Sequence, residues 1–452
     1  EVLLRIKQAR DYYLLVGPPG TGKTSMALRF IVEEQEGNIL LMSYTNRAVD
    51  EICDMLLSAN IPFLRVGNEY SCDERFRSYL LDRLVDSDPK LNLIKQRIEA
   101  CRVFVGTTST MQSRSNIFAL KHFDLAVIDE ASQILEPNIV GLLSANTPQP
   151  LALHLGLNAA NDNVPAIDKF VLIGDHKQLP AVVQQNAAQA TVNDPQLNAI
   201  GITDCRQSLF ERLIHWERSQ GRTRFIGTLN RQGRMHPHIA RFPNDMFYTH
   251  EQIDVVPCAH QEEQQLHYNL PAQDELDNQL KAHRLLFFAA ENNENEGASD
   301  KANPAEARIV ARILGRIHRF YAQDFDANRT VGVIVPYRNQ IAMIRRELAK
   351  LGIAELDNIT IDTVERYQGS QRDVIIYSFT IAHRYQLDFL TANCFEENGK
   401  IIDRKLNVAL TRARKQMIIT GHIPTLCFNR TFKALIEHVR ENGLVVEEQG
   451  VI

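Results

Sequence analysis

The segment from residue 12 to residue 24 has the clearest chemical pattern in the chain. An apolar run, Tyr12–Val16, leads into a glycine-rich loop that is followed by residues of helical character. The loop reads Gly17-Pro18-Pro19-Gly20-Thr21-Gly22-Lys23-Thr24. Glycines let backbone N–H groups point at a phosphate, and the helix adds the positive end of its dipole. Lys23 can reach the β- and γ-phosphates, and the Thr24 hydroxyl can bind Mg²⁺. The segment therefore predicts a nucleoside triphosphate site rather than an ordinary Gly-Pro turn.

Two acidic residues come directly after the apolar run at residues 125–128. Asp129 stands where an ATPase holds Mg²⁺, and Glu130 beside it can accept a proton from the attacking water. The alternative is a solvated acidic turn at the end of a strand. Because a phosphate loop lies upstream, we assign Asp129 to the metal and Glu130 to the general base.

Three further polar residues could complete a hydrolytic centre. Gln178, in the segment Gly174–Pro180, could hydrogen-bond the γ-phosphate or the attacking water. Two arginine-bearing segments, Gln232–Pro237 and Asn407–Arg414, lie in the second half of the chain, and an arginine from a second domain can neutralise charge that develops on the γ-phosphate. Gln178 could instead be part of a polar turn, and each arginine could be a surface or salt-bridge residue.

The elements that must position these residues are short apolar runs that alternate with helical stretches, which is typical of parallel α/β proteins. The sequence predicts strands at residues 12–16, 39–43, 102–106, 125–129, 170–174, 224–228, 285–289, 331–336, 359–363, 374–379 and 416–421. It predicts helices after a cap at Thr45 and at residues 305–320 and 339–351. We expect two domains, 1–221 and 222–452, with a helical insertion at about 69–100. Polar loops are expected at 144–168, 184–200 and 291–301.

Composition limits the kinds of partner that the chain can have. With 452 residues the chain is long enough for two or three domains, and its net charge of −5 provides no overall basic field. A nucleic-acid site must therefore be a local groove. The seven cysteines form no C-x-x-C pair, which favours reduced thiols over disulfides or zinc. We find no pattern of a membrane span or signal peptide, and we expect a cytoplasmic protein without membrane partners.

The ordered motifs resemble those of superfamily 1 helicases, in the branch of the nonsense-mediated-decay RNA helicase and the replicative helicase–nuclease. The resemblance extends from about residue 12 to residue 421, and the order of the motifs makes it specific although most single motifs are modest. After the phosphate loop, the motifs are Tyr44–Asp50, Val105–Thr108, Asp129–Ser132, Gly174–Pro180, Gln232–Pro237, Val335–Arg338, Thr363–Gly369 and Asn407–Arg414.

The resemblance implies an α/β architecture of two tandem RecA-like domains with parallel sheets, the P-loop NTPase fold, with ATP and Mg²⁺ in the cleft. It implies an ATPase centre made of Lys23, Thr24, Asp129, Glu130, Gln178, Arg234 and Arg412, with Gly369 also contacting the nucleotide. It also implies that a single strand follows a path along Asn46, Thr107, Thr108, Pro336, Tyr337 and Thr363. A path of this kind needs donors for phosphates and flat side chains for bases, although Tyr337 could equally be a core aromatic.

Three departures from the family concern recognition of the base. The glutamine that reads adenine would precede Glu1, Gly233 stands where relatives have an aromatic residue, and Gln371 stands where many have a ribose-binding glutamate. They leave base selectivity open without affecting the phosphate chemistry.

These observations predict a nucleic-acid-dependent ATPase that acts as a helicase or translocase on a single strand. The resemblance implies 5′-to-3′ movement and favours DNA over RNA. We expect a monomer whose upstream accessory or nuclease domain lies outside this chain. The same motifs would serve an ATPase switch that clamps or remodels a complex without unwinding. An unrelated phosphate-loop ATPase, such as a ring-forming chaperone or a kinase, is a third alternative, which the motifs of the second half oppose.

Overall fold

The computed structural model describes residues 1–83, 90–157, 164–253, 261, 266, 268–291 and 299–447. The chain forms two units, each built on a parallel sheet. Unit 1 comprises residues 1–18, 22–176 and 180–229, and unit 2 comprises residues 19–21, 177–179 and 230–452. The two parallel sheets with helices confirm the predicted α/β class.

Unit 1 contains a sheet of seven parallel strands in the order β3-β4-β2-β5-β8-β1-β9. The strands are β1 (Tyr12–Val16), β2 (Ile39–Ser43), β3 (Phe63–Val66), β4 (Val103–Thr107), β5 (Leu125–Ile128), β8 (Phe170–Gly174) and β9 (Ile226–Thr228). Apolar side chains cover both faces of the sheet, as continuous apolar strands predict. Since all the strands are parallel, the loops that follow them share one edge, where the phosphate loop and Asp129 lie.

Strand β9 belongs to unit 1, whereas the sequence placed it at the start of the second domain. Residues Leu14–Val16 of β1 pair in parallel with Ile226–Thr228, so this strand closes the sheet of unit 1. The units consequently divide after Leu229, whereas the sequence suggested a boundary near residue 221. The reason is that a short apolar strand carries no local information about which sheet it joins.

Helical segments and a small antiparallel pair complete unit 1. The α-helices are Val2–Gln8, Arg29–Glu34, Asn46–Ser58, Leu91–Ala100, Thr108–Ser113, Val140–Leu143, Gln149–His154, Ala187–Ala190, Pro195–Ala199 and Leu209–Ser219. A π-helical turn covers Lys23–Leu28, and 3₁₀ turns cover Glu69–Ser71, Glu74–Tyr79, Ser115–Ala119, Ala131–Gln133, Glu136–Asn138 and Thr223–Phe225. Strands β6 (Asn146–Thr147) and β7 (Val164–Pro165) form the antiparallel pair.

The segment expected as a helical insertion contains helical turns, and the two segments expected as polar loops contain more structure than expected. The insertion at 69–100 lies between β3 and β4 and includes helical turns, with residues 84–89 outside the described part. The segment 144–168 holds β6, β7 and a short helix, with 158–163 outside the described part. The segment 184–200 holds two short helices that begin at side-chain caps on Asn186 and Asp194. Asn and Asp favour helix starts as well as loops, so their abundance misled the loop prediction.

Unit 2 contains a sheet of six parallel strands in the order β12-β11-β13-β16-β10-β17. The strands are β10 (Leu285–Ala289), β11 (Val331–Val335), β12 (Thr360–Thr363), β13 (Arg372–Ser378), β16 (Ala413–Gly421) and β17 (Leu444–Val446). Strands β14 (Cys394–Glu397) and β15 (Lys400–Asp403) form an antiparallel hairpin between β13 and β16 in the chain.

The described helices of unit 2 include the two long ones that were predicted. The α-helices are Pro237–Phe247, Glu275–Ala282, Pro304–Tyr321, Arg338–Ala349, Val364–Tyr367, Leu387–Leu390, Arg404–Leu410, Ile423–Leu426 and Arg430–Asn442. Short 3₁₀ turns cover Thr249–Glu251, Ala322–Asp324, Ala354–Asn358 and Arg384–Gln386. The predicted loop at 291–301 falls mostly on residues 292–298, which lie outside the described part. None of the described helices has the length and hydrophobicity that crossing a lipid bilayer requires.

Candidate active site

The phosphate loop has the backbone geometry that its glycines predict. Gly20 and Gly22 adopt φ angles of +76° and +75°, in the left-handed region where a Cβ is disfavoured. A Cβ on Gly17 would lie 2.3 Å from Cγ of Lys23, so the lysine side chain needs a glycine at that position. The loop therefore curves sharply, with the lysine folded back across its first residue.

Lys23 and Thr24 bring the loop into contact with the acidic strand end. Nζ of Lys23 donates to the carbonyl oxygen of Gly17 at 2.5 Å. The Thr24 hydroxyl donates to Oδ2 of Asp129 at 2.6 Å, across 105 residues of sequence. A hydroxyl and a carboxylate are hard oxygen ligands of the kind that Mg²⁺ prefers. The donor set thus fits the predicted metal.

Asp129 is held firmly at the carboxyl end of β5. Its side chain is buried, and its backbone N–H donates to the carbonyl oxygen of Met42 at 2.8 Å. Ser43 Oγ donates to the carbonyl oxygen of Asp129 at 3.2 Å, and Oδ1 of Asp129 accepts from the N–H of Glu130 at 2.8 Å. The carboxylate is therefore oriented by Thr24 and by the N–H of Glu130, while β2 holds the backbone of Asp129.

Glu130 has an unusual backbone conformation for a residue with a side chain. Its φ and ψ angles are 54° and 32°, in the left-handed region, and it is half-buried where the 3₁₀ turn Ala131–Gln133 begins. Strained residues of this kind concentrate at functional sites because surrounding structure must hold them. The role of Glu130 as general base stays a prediction.

A second group of predicted residues meets within unit 2. Nη2 of Arg412 donates to Oε1 of Gln178 at 2.9 Å, although the two residues are 234 positions apart. Nε of Arg412 donates to the carbonyl oxygen of Val408 at 3.1 Å, and the arginine is only 2% exposed. The structure thus pairs the predicted sensor with one predicted arginine finger; their contact with a γ-phosphate stays a prediction.

Arg234 lies in a loop that Gln232 organises. Oε1 of Gln232 accepts from the N–H groups of Arg234 at 3.0 Å and Met235 at 2.9 Å. Nη1 of Arg234 donates to the carbonyl oxygen of Thr411 at 3.3 Å, beside Arg412. The two predicted arginine fingers therefore lie next to each other in unit 2.

Gly233 and Gly369 have backbone roles in the same unit. The N–H of Gly233 donates to the carbonyl oxygen of Gly20 at 2.9 Å, which attaches the tip of the phosphate loop to this segment. Gly369 has a φ of +82° in a turn where the Ser370 N–H donates to the Tyr367 carbonyl oxygen at 2.9 Å. The positive φ explains a glycine at residue 369, and its contact with the nucleotide stays a prediction.

The predicted strand-path residues of unit 1 differ in exposure. Asn46 is exposed at the start of a helix capped by Thr45, whose Oγ1 accepts from the N–H of Ala48 at 3.1 Å, as predicted. Thr107 and Thr108 are buried. The Thr107 hydroxyl accepts from the N–H of Thr110 at 3.1 Å, so it caps the next helix. Of these three residues, Asn46 has the side chain most open to a strand.

The predicted strand-path residues of unit 2 lie at the carboxyl ends of β11 and β12. Pro336 is buried, and Thr363 is half-buried. Tyr337 is 9% exposed and stacks on Phe389 with 5.0 Å between ring centroids. This packing favours the core interpretation of Tyr337, which the sequence left open. Phe389 is 45% exposed and was not anticipated, because no motif includes it.

Two further residues near Gln178 were also missed. Nδ2 of Asn407 donates to the carbonyl oxygen of Lys177 at 2.7 Å and to the Tyr248 hydroxyl at 2.7 Å. Asn407 and Lys177 both stand inside motifs that carry predicted site residues. Their position within those motifs was the signal that could have drawn attention to them.

Comparisons with known proteins agree with the resemblance that the motifs indicate. Residues 2–101 and 90–186 match one family model described as an AAA domain, and residues 205–424 match a second model with the same description. The chain is 28% identical to the DNA replication ATP-dependent helicase/nuclease JHS1 of Arabidopsis thaliana, covering 98% of this chain and 29% of that protein.

Two other relatives have similar sequence identities to this chain. The chain is 29% identical to the DNA replication ATP-dependent helicase/nuclease DNA2 of Xenopus laevis, covering 94% of this chain and 37% of that protein. It is 26% identical to the DNA polymerase alpha-associated DNA helicase A of Saccharomyces cerevisiae, covering 96% of this chain and 66% of that protein. The chain thus spans about a third of the length of the helicase/nucleases that it matches. The motifs, the two sheets and these matches together show that the chain belongs to superfamily 1 of the ATP-hydrolysing helicases, in its 5′-to-3′ group.

Proposed function

We propose that this chain hydrolyses ATP with Mg²⁺ and uses the energy to move 5′ to 3′ along single-stranded DNA and separate duplexes. The observation that carries the proposal is the 2.6 Å hydrogen bond between Thr24 and Asp129, next to the folded-back Lys23. It joins the end of the phosphate loop to a buried acid at the same edge of the sheet.

Each residue of the phosphate site has a distinct role in this proposal. The loop N–H groups and Lys23 bind the phosphates, and Lys23 exchanges the carbonyl oxygen of Gly17 for phosphate oxygens. Thr24 and Asp129 would hold Mg²⁺, which neutralises phosphate charge when bound. Glu130 takes a proton from the attacking water.

Gln178, Arg234 and Arg412 are assigned by resemblance to the γ-phosphate. The 2.9 Å hydrogen bond between Gln178 and Arg412 supports a shared role in hydrolysis. If one of the two side chains moves, the other loses its hydrogen-bond partner. Guanidinium groups that hydrogen bonds already hold in place are effective at stabilising developing phosphate charge because they need little reorganisation. Loss of either arginine should therefore slow hydrolysis more than it weakens ATP binding.

The names of the relatives favour DNA as the strand. The three relatives are named as DNA replication helicase/nucleases and a DNA helicase. Within this chain, Asn46 and Phe389 are exposed at the carboxyl sides of their own sheets, where a strand would find a polar donor and an aromatic face. Neither residue distinguishes a ribose from a deoxyribose.

The test is steady-state ATPase activity with and without oligo-dT and oligo-U, together with strand displacement from a duplex that has a 5′ overhang. Lys23→Ala should lower the ATPase rate by about a hundredfold or more, because it removes the phosphate-binding ammonium. Lys95→Ala is the matched control, since Lys95 is an exposed lysine of unit 1 whose side chain is 69% accessible. Undiminished activity of Lys23→Ala would refute the proposal.

The same assays separate the alternatives. Stimulation by oligo-dT without strand displacement would favour a clamp or remodelling switch. Stimulation by oligo-U alone would assign the site to RNA. Displacement from a 3′ overhang but not from a 5′ overhang would reverse the proposed direction.

A further inference from the structure

The side chain of Lys177 is buried in unit 2. Lys177 follows β8 in the chain and directly precedes Gln178, and its side chain is 1% exposed. Nζ donates to Oε2 of Glu251 at 2.8 Å and to the carbonyl oxygen of Phe247 at 2.9 Å. It also forms an ion pair with Oε2 of Glu397 at 2.6 Å.

The groups around Lys177 come from separate elements of unit 2. Glu251 ends a 3₁₀ turn that follows the helix Pro237–Phe247, and Glu397 ends β14 of the hairpin. The backbone of Lys177 is held as well, because its carbonyl oxygen accepts from Nδ2 of Asn407 at 2.7 Å. We call Lys177, Glu251, Glu397 and Asn407 the Lys177 anchor.

The anchor determines orientation more than it adds stability. An ammonium group has three N–H donors, and here three acceptors lie in hydrogen-bonding reach of it. Buried ion pairs add little net stability, because desolvation offsets their attraction, but losing one partner leaves a buried charge uncompensated. Two hydrogen bonds and one ion pair therefore fix the position of the Lys177 side chain, and Asn407 fixes its backbone.

Gln178 follows Lys177 directly in the chain, so the position of Lys177 also determines the position of Gln178. Oε1 of Gln178 accepts from Nη2 of Arg412 at 2.9 Å, and the carbonyl oxygen of Leu179 lies 3.5 Å from Nε2 of Gln368. We propose that Lys177 is a positioning residue whose attachment to Glu251, Glu397 and Phe247 places Gln178 against Arg412 for ATP hydrolysis. The proposal rests on the proposed function, in which this pair acts on the γ-phosphate.

The first test compares Lys177→Met with a lysine of similar burial elsewhere. Lys121 of unit 1 is 5% exposed, and its Nζ donates to the carbonyl oxygens of Ile98 and Glu99 at 3.0 and 2.8 Å. Lys177→Met should lower kcat of the DNA-stimulated ATPase by about tenfold or more and change the KM for ATP by less than about twofold. Lys121→Met should leave kcat unchanged. Equal kcat values for wild type and Lys177→Met would overturn the proposal.

A triple variant separates positioning from charge balance. Lys177→Met alone leaves Glu251 and Glu397 buried without their cation, and this can unfold the protein. Lys177→Met/Glu251→Gln/Glu397→Gln removes both charges, so thermal stability should recover while kcat stays low. Recovery of kcat together with stability would show that Lys177 only balances charge, which would contradict the proposal.

A measurement independent of catalysis keeps the two proposals distinguishable. Hydrogen exchange of a peptide that covers residues 174–180 should be faster in the triple variant than in wild type, because the anchor is gone. A wild-type chain without ATPase activity would refute the proposed function, and the exchange result would still decide whether the anchor holds this segment. Unchanged exchange would refute the anchor.

Adjacent glutamates of the hairpin provide a matched pair. Glu397 is buried and forms an ion pair with Lys177, whereas Glu396 beside it is exposed. Glu397→Gln should lower kcat several-fold, whereas Glu396→Gln should not change it, although both remove one negative charge from the same strand. Equal effects of the two substitutions would contradict the proposed role of the anchor.

Discussion

Replacing Glu306 with glutamine should remove a large pH-dependent loss of stability from unit 2. Glu306 is fully buried in the helix Pro304–Tyr321. Its Oε2 accepts from Oγ of Ser378 at 2.7 Å and from the N–H of Thr380 at 3.0 Å. Burial outweighs these hydrogen bonds and raises the pKa of the carboxyl group from 4.5 to about 8.

The direction of the effect follows from the raised pKa. The folded protein binds this proton more tightly than the unfolded chain does, so Glu306 contributes its full stability below pH 4.5. That contribution is lost as the pH rises towards 8. A pKa difference of about 3.5 corresponds to about 5 kcal/mol over the whole range, at about 1.4 kcal/mol per pH unit. Between pH 5.5 and 7.5, the expected loss is about 2.5 kcal/mol.

The assay is urea denaturation of wild type and Glu306→Gln at several pH values between 5.5 and 9. Because glutamine does not titrate, the free energy of unfolding of the variant minus that of wild type should increase with pH and level off above pH 8. Far-UV circular dichroism follows both units. The single tryptophan, Trp216, lies in unit 1, so its fluorescence reports whether the effect is confined to unit 2.

Only the pH dependence of the difference tests the reasoning. Exchanging a carboxyl group for an amide also changes the hydrogen bonds, and this shifts the stability of the variant by a constant amount. Glu396→Gln is the control, because it makes the same exchange of a carboxyl group for an amide at an exposed position. A difference between Glu306→Gln and wild type that stays constant from pH 5.5 to 8.5 would refute the raised pKa.

Two other substitutions test the phosphate loop and the start of the helix before Arg412. Gly20→Ala should lower kcat/KM for ATP by about tenfold or more, because φ is +76° and the new Cβ would lie 2.5 Å from Cβ of Arg234. Gly141→Ala, where the nearest atom is 3.5 Å away, should leave ATPase kinetics unchanged. Asp403 is the side-chain cap of the helix Arg404–Leu410, and burial raises its pKa from 3.8 to about 6. Asp403→Asn should keep the cap and, in urea denaturation, gain about 2 kcal/mol over wild type as the pH rises from about 4 to 6; a gain that is independent of pH would contradict this.

The phosphate side of the candidate site could be predicted because neighbouring residues build it. The turn of the loop depends on glycines at residues 20 and 22, and Gly17 leaves room for the side chain of Lys23. Lys23 and Thr24 follow the loop directly. Asp129 required one further inference, that parallel strands bring their carboxyl ends to one edge. That inference was sufficient because the buried run Leu125–Ile128 has no polar interruption.

The limits of the prediction appear where pairing depends on distant residues. Strand β9 has the same kind of apolar pattern as its neighbours, so its place beside β1 could not be derived from its own three residues. The hairpin β14–β15 did have a local signal. Asn398 and Gly399 form its turn with φ angles of +52° and +76°, and Asn-Gly between two short runs is a strong hairpin pattern. The hairpin was nevertheless not predicted, because its two strands contain charged residues and lack the alternation of apolar and polar residues that indicates a strand.

The position of Gln178 is the clearest case in which local sequence supplies the chemical group and distant packing supplies its orientation. A lysine after a strand end is normally a solvated residue, and nothing near Lys177 indicates that its ammonium would be buried. The acceptors that hold it stand at residues 247, 251 and 397, and the arginine that contacts Gln178 stands at residue 412. It follows that Glu397, which belongs to none of the motifs, should affect hydrolysis more than most residues inside them. On the proposed role of Lys177, the hairpin that carries Glu397 contributes to hydrolysis by helping to position Gln178.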